Sequence, residues 1–361
     1  METVHQATRR YEEWLGGFMP LVREDLEAKH GRMRLGPFLF MRATFYRWCQ
    51  HWRAGAGDLA RATPVWAVGD LHLENFGTWR DADGRLVWGI NDFDETTTLP
   101  WTQDLVRLAV SAHVAVRDEH LIIRRRTACE AILDGYRDGL EAGGRPFVLE
   151  ESHGWLRRAA TGDLRHPTAF WKKMDALPTA GDVDPSAIAA ISEAMPKGTA
   201  AVRHTRRIAG MGSLGRPRFV GIGEWCGGKV AREAKAMAPS AWHWACGRRA
   251  VGPEVYTKVI TRAIRVPDPT VRVIGAWLVR RLAPHCTRIE LSELPSGRDE
   301  ARLLYAMGFE TANVHLGTPE AARTVRKELA TRKSSWLHDS AKLQTDEILR
   351  DWNAWRASAR S

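Results

Sequence analysis

The chain of 361 residues carries 53 lysines and arginines against 43 aspartates and glutamates, a formal charge of +10 with a sequence pI near 9.7. Hydrophobic residues at 44% and charged residues at 27% are ordinary globular proportions that leave little room for long disorder, and the length suits two packed lobes better than one core. The longest apolar stretches, such as residues 271–279, fall short of the roughly 20 residues that a membrane span needs.

The opening residues lack the apolar core of a secretory signal, so a cytoplasmic protein is expected. The five cysteines are an odd number without a CxxC pair, and the thirteen histidines show no HxxxH pair set opposite other ligands. Free thiols are expected, and neither structural zinc nor a dedicated transition-metal site is. The basic clusters Arg124-Arg125-Arg126, residues 203–207 and Arg280-Arg281 lack any recognised nucleic-acid motif around them, so they read as solvated faces.

In chain order, apolar residues recur at helical spacing over 9–52 (Trp14, Phe18, Leu21, then Phe38, Phe45, Trp48), with a break at 31–37. Residues 65–68 read as a short strand. Runs at 76–79 and 85–90 flank Asp81-Ala82-Asp83-Gly84, a strong hairpin signal. Helical patterns follow at 102–117, 121–140 and 155–177. The Ala-, Pro-, Gly- and Asp-rich segment 178–196 reads as a linker marking a boundary. Beyond it, strands are expected at 206–209, 218–225, 229–237, 271–282 and 287–294, with one helix at 253–264. Residues 299–315 and 320–356 are helical again.

The chemistry concentrates in Val68-Gly69-Asp70-Leu71-His72-Leu73-Glu74-Asn75-Phe76-Gly77, the hairpin, and then Ile90-Asn91-Asp92-Phe93-Asp94-Glu95. In protein kinases a catalytic-loop aspartate accepts the substrate hydroxyl proton, an asparagine five residues on holds magnesium, and an aspartate beyond a short hairpin holds magnesium again. Asp70, Asn75 and Asp92 stand at those spacings, and Asp94 is placed to assist the metal. Hard oxygen ligands are what magnesium accepts. Crowded carboxylates repel by about 1 to 4 kcal/mol per pair at 4 Å, so a divalent cation is the economical way to neutralise them. The plain alternative is a hairpin whose ends carry turn-forming Asp and Asn.

GlyAspLeuHisLeuGluAsn followed by AsnAspPheAspGlu resembles the catalytic loop and metal-binding segment of aminoglycoside and choline phosphotransferases, relatives of protein kinases. With Phe38-Leu39-Phe40-Met41-Arg42 and Pro100-Trp101-Thr102-Gln103-Asp104-Leu105-Val106-Arg107-Leu108, these runs resemble more closely a bacterial family known as domain of unknown function 2252. That resemblance covers most of the chain and brings no established substrate. The phosphotransferase resemblance implies that Asp104 braces the catalytic loop; the alternative is a first-turn acid favouring the helix dipole.

A second motif, Gly210-Met211-Gly212-Ser213-Leu214-Gly215, lies between two expected strands. A dinucleotide fold would lead from such a motif into a helix, whereas strand, glycine loop, strand is the kinase arrangement, in which backbone amides cover ATP phosphates. The alternative is a hairpin needing positive backbone angles. A kinase-like lysine belongs on the third strand. Lys229, Arg232 and Lys235 are candidates, and Lys235, followed by Ser240, is the choice; strand alternation sets Arg232 on the opposite face. Glu254 either pairs with that lysine or is an ordinary helix-start acid.

The glycine loop follows the catalytic loop instead of preceding it, an order that a circular permutation explains. Residues 304–315 likewise resemble the helix that precedes the catalytic loop in these phosphotransferases. The expectation is a two-lobed α+β, protein-kinase-like fold: N-terminal helices at 1–60, a catalytic and metal-binding half at 61–200, a β-rich nucleotide lobe at 201–295, and C-terminal helices at 296–361 that rejoin the helical lobe. The expected activity is ATP- and Mg2+-dependent phosphotransfer to a small-molecule or protein hydroxyl, with neither nucleic acid nor membrane as partner. Asp70 would act as base, Asn75, Asp92 and Asp94 at the metal, and Gly210, Gly212, Ser213, Gly215 and Lys235 on ATP. A nucleotide-binding pseudoenzyme and an AMP transferase on the same fold are the alternatives.

Overall fold

The computed structural model describes residues 2–150, 152–160, 166–284, 286 and 299–357. Thr3 and Gln6 form a capping box that starts α1 (Val4–Gly16). It is followed by α2 (Arg23–Met33), α3 (Pro37–Ala43), with proline in its first turn, and α4 (Phe45–Gly55). Strand β1 (Pro64–Ala67) leads to the hairpin β2 (Phe76–Arg80) and β3 (Leu86–Ile90), then β4 (Thr97–Pro100), which returns antiparallel to β1. β1 and β4 thereby bring the two ends of the motif region together, because one precedes Asp70 and the other follows Glu95.

Trp101 opens α5 (Trp101–Arg117), which is buried from Trp101 to Ala115, its polar residues Asp104 and Arg107 included. The next helix, α6 (Arg125–Glu141), leads to β5 (Phe147–Val148), which extends the hairpin sheet along β3. Then come α7 (Gly154–Ala160), α8 (Pro167–Asp175) and α9 (Pro185–Ala194). Strands β6 (Ala200–Arg206), β7 (Arg218–Trp225) and β8 (Gly228–Ala236) are followed by α10 (Ala241–Cys246) and α11 (Glu254–Arg262), then β9 (Arg272–Ile274) and β10 (Trp277–Leu282). These strands form one antiparallel sheet in the order β6-β7-β8-β10-β9.

The chain ends with α12 (Glu300–His315), α13 (Pro319–Thr331) and α14 (Trp336–Ala357). α12 lies so close to α6 that a Cβ added at Gly135 would sit 1.9 Å from the Tyr305 carbonyl oxygen, and one at Gly308 2.0 Å from that of Ile132. Only glycine permits that approach. α14 packs on α1, α3 and α4: Asp351 accepts from Arg47 Nε at 2.8 Å and bonds His51 Nε2 at 2.6 Å, while His5 stacks on Trp355. Residues near both ends of the chain therefore share one body. α4 also packs on α10, and one hydrophobic cluster runs from Val4 through Phe219 and Val279 to Trp355.

Several expectations are corrected. Segment 178–196 is not all linker, since it contains α9, capped by Asp184, begun by Pro185 and packed on β7, β8 and β10. The strand expected at 206–209 ends at Arg206 instead of starting there. The strand expected over 271–282 is two, broken around Gly275 at positive φ. β4 and α10 were not anticipated. The strand expected at 287–294 lies outside the described residues. A mixed α+β architecture, with three antiparallel sheets among the described residues, is what the structure establishes.

Candidate functional site

The loop after β1 is fixed from below by α5. Asp104, with no exposed surface, accepts from the backbone N–H groups of Val68 at 2.7 Å and Gly69 at 2.9 Å. Its carboxylate also meets His315 Nε2 at 3.2 Å, whose Nδ1 is 2.8 Å from the Tyr136 hydroxyl. Gly69 stands at φ +88°, where a Cβ would lie 2.4 Å from the Glu95 carbonyl oxygen. Glycine is required both by the left-handed backbone and by the crossing of the segment before Asp70 over the segment after Asp94.

Asp70 follows at once. One of its oxygens, Oδ1, accepts from Arg107 Nη2 at 2.7 Å and Nε at 3.0 Å. Arg107 also donates to the Met41 carbonyl and lies over the Trp48 and Phe45 rings. Burial pushes the Asp70 carboxyl above its ordinary pKa, and Arg107 only partly offsets that. The second oxygen, Oδ2, faces the glycine loop, 3.7 Å from where a Cβ at Gly212 would be. Asn75 is buried, and its Oδ1 already accepts from the His72 N–H at 2.6 Å. A carbonyl oxygen has a second lone pair, which remains available to a cation.

Beyond the hairpin, Asp92 is the open carboxylate of the group, its side chain 45% exposed and 3.7 Å from Lys235 Nζ. Asp94 is half-buried, its side chain 13% exposed, and sits 2.5 Å from Lys235 Nζ, with Arg216 at 3.7 Å. Burial opposes its charge, but Lys235 and Arg216 outweigh that and draw its pKa down to about 2. Glu95 accepts from Arg216 Nη2 at 3.1 Å and the Ala241 N–H at 2.6 Å. There burial prevails and raises the pKa to about 7.

Of the three candidate cations on β8, Lys235 enters this group. Lys229 is at the surface on Asp175, and Arg232 turns to the Ala194 carbonyl at the end of α9. Glu254 is exposed at the start of α11, without an ion pair among the described residues, so it reads as a helix-start acid. The acid on β8 itself, Glu233, is fully buried among Arg207, Arg218 and Arg280.

The glycine loop joins β6 to β7 above Asp70. Gly210, Gly212 and Ser213 line a cavity of about 850 Å3 shared with Asp70, Asn75, Asp92, Asp94 and Lys235. Gly215 is not on that cavity; it packs under α2, where a Cβ would strike Leu26, and its carbonyl accepts from Val22 N–H. Ser213 Oγ is held by Arg218 Nη2 at 2.7 Å. Lys29 of α2, buried, reaches the Gly212 carbonyl at 3.4 Å, and its pKa is lowered by burial to about 8.

The electrostatic expectation requires correction. Repulsion among the carboxylates is relieved in part by the protein's own cations, Arg107 at Asp70 and Lys235 with Arg216 at Asp94, whereas Asp92 still helps to raise the pKa of Asp70. The sequence reading missed Arg107 and Arg216. Arg107 had a usable signal, since it stands three residues after Asp104 on one helix, on the same face. Arg216, directly after the glycine motif, had none. The Arg42–Glu74 ion pair, which lines the same cavity, joins the Phe38–Arg42 run to the Asp70 loop.

Residues 21–160 match the family described as "Uncharacterized protein conserved in bacteria (DUF2252)". The resemblance expected over most of the chain is thus found for this part, which holds Asp70, Asn75, Asp92, Asp94, Asp104 and Arg107 but not the glycine loop or Lys235. No curated protein and no solved structure matches the chain.

Proposed function

We propose that the protein is an ATP- and Mg2+-dependent phosphotransferase of protein-kinase-like architecture, acting on a hydroxyl acceptor. The observation that carries the reading is convergence: an Asp-x4-Asn loop, a post-hairpin Asp, a glycine loop between two strands and a lysine on the next strand meet in one cavity of about 850 Å3, the size of a small-ligand site. That third-strand lysine and strand-flanked glycine loop are the kinase parts, here reached in permuted chain order. A turn-rich hairpin alone gives no reason for a lysine more than 140 residues away to enter the same space.

In this reading Asp70 Oδ2 accepts the acceptor's proton while Arg107 holds Oδ1 and fixes the carboxylate plane. Lys235 and the amides of residues 210–213 receive phosphate oxygens. Asn75 and Asp92 are the cation's ligands, a pair of oxygen donors that suits an ion which keeps water and phosphate in its remaining positions. Mg2+, when bound, neutralises charge on the transferring group. Asp94 holds Lys235 at the cleft until a phosphate oxygen draws it away.

Calorimetric titration of ATP, with Mg2+ and with chelator, tests the assignment. Asp92→Ala is expected to abolish the Mg2+ dependence of binding, and Asp70→Asn to leave binding nearly unchanged while suppressing transfer from γ-labelled ATP to acceptors in a metabolite extract. Equal affinity in every condition would sink the proposal. Label from the α-phosphate on an acceptor would mean AMP transfer.

A further inference from the structure

We propose that His113, Cys129 and His338 form a binding site for a borderline-soft divalent cation, with Zn2+ the best chemical fit, that fastens α14 to α5 and α6. One potential ligand atom from each of the three lies within 4.8 Å of the others. Cys129 Sγ is 3.3 Å from His113 Nε2, and the His113 and His338 ring centroids are 5.2 Å apart. His113 and Cys129 are buried and His338 is half-buried. The site is separate from the cleft beside Asp70, none of whose lining residues it shares.

Two imidazoles and a thiolate are a zinc donor set, with ligand distances near 2.0–2.1 Å to nitrogen and 2.3 Å to sulfur. Tetrahedral coordination at those lengths places ligand atoms about 3.3–3.7 Å apart. The His113–Cys129 spacing is already close to this, so loading requires mainly a swing of His338 inward. That side chain is the one nearest solvent, which also leaves a fourth position for water. On loading, the cation takes the place of the Cys129 thiol proton, which leaves to solvent, and the sulfur binds as thiolate. Arg125 lies beside His113, and Glu130 and Asp339 lie near Cys129. The spacing rules that found no metal motif look for ligands close in sequence. Here each ligand comes from a different helix.

The test uses the full-length protein and Zn2+ and Co2+ as probes, in a Cys226→Ser background that removes the exposed thiol. The expected results are one equivalent of zinc per chain, and with Co2+ a thiolate-to-metal charge-transfer band with the intense visible absorption of a four-coordinate site. His338→Gln, a change at a half-buried position, is expected to weaken Zn2+ binding at least tenfold, and Cys129→Ser to lose the charge-transfer band. Chelator should lower the melting temperature of the parent and leave that of His338→Gln unchanged. Sub-stoichiometric zinc with no charge-transfer band in the parent would overturn the proposal, as would undiminished Zn2+ affinity in His338→Gln; the triad would then be a buried thiol–imidazole hydrogen bond alone.

Discussion

Replacing Arg107 by methionine removes one charge and five donors while keeping most of the side chain's length, so it isolates what the guanidinium does for Asp70. The pair is nearly dry, with Arg107 1% and Asp70 15% exposed at the side chain. Breaking such a pair from one side typically costs about 3–5 kcal/mol, because the remaining charge is stranded. The cost should depend on pH in a known direction. Asp70 already has a raised pKa in the folded protein, and loss of Arg107 raises it further. A carboxyl raised by folding favours the native state fully below its unfolded pKa and loses that contribution as pH rises through the folded value. The deficit of Arg107→Met should therefore be smallest in acid and grow toward neutral pH. Urea denaturation of wild type, Arg107→Met, Asp70→Asn and the double variant closes the cycle. Because the neutral amide strands no charge, Arg107→Met should cost at least 1.5 kcal/mol less, by order of magnitude, in the Asp70→Asn background. An equal cost in both backgrounds would show that Arg107 serves only its contacts with Met41, Phe45 and Trp48, and the account of Asp70 would fall.

Gly69→Ala should destabilise by about 3 kcal/mol or more, since it combines a left-handed backbone with a clash at the Glu95 carbonyl; an unchanged urea midpoint would refute this crossing geometry. Lys235→Ala should weaken ATP binding at least tenfold, about 1.4 kcal/mol, while Arg232→Ala leaves it within twofold, as calorimetry will show; the reverse order would mean that the wrong face of β8 meets the phosphates. Asp94 has a folded pKa near 2 against an ordinary 3.8, so its contribution is present above pH 3.8 and is lost as pH falls through 2. Asp94→Asn should cost about 2 kcal/mol at neutral pH, and the gap from wild type should close between pH 4 and 2; a gap independent of pH would contradict the ion pair with Lys235.

The hairpin and the loop before it were legible because their signals are local. Asp81 to Gly84 carry turn chemistry, and Asp70 to Asn75 a fixed spacing that no long-range contact is needed to read. Lys235 could be chosen over Arg232 because strand alternation is a two-residue rule. α9 was misread for an instructive reason: alanine, proline, glycine and aspartate were taken as linker composition, while Asp184-Pro185 is also the start signal of a helix, with a cap and a first-turn proline. Tertiary packing on β7, β8 and β10 decided between them. β4 escaped because Thr97-Thr98-Leu99-Pro100 is too short to show alternation and ends in proline; its pairing with β1 is set by residues thirty or more positions earlier. The arginines of the site were invisible as a group, since Arg107 on α5 meets Asp70 and Arg216 in the glycine loop meets Asp94 and Glu95 only across elements far apart in sequence. Charge pairing across elements has no period in the sequence.

Those arginines change what the proposed chemistry must accomplish. In the structure Lys235 belongs to Asp94, at 2.5 Å, with Asp92 farther off at 3.7 Å. If ATP is the ligand, as proposed, a phosphate oxygen must draw Lys235 from a carboxylate that is only 13% exposed, and Arg216, shared with Glu95, is a poor substitute at 3.7 Å. Phosphate alone therefore gains one contact and leaves one acid under-compensated. A divalent cation arriving with the nucleotide removes that penalty, because it adds positive charge beside Asp92 as Lys235 moves toward the phosphates. Nucleotide and cation should then favour each other's binding, and by linkage the factor must be the same in both directions. On this account the dependence on Mg2+ arises from the exchange of partners around Lys235, and not from repulsion among bare carboxylates. Asp94→Asn separates the two causes. Without the buried charge to strand, the variant should bind ATP in chelator more tightly than wild type does, and its gain on adding Mg2+ should shrink; repulsion between Asp92 and the phosphates as the sole cause would leave the gain as large as in wild type.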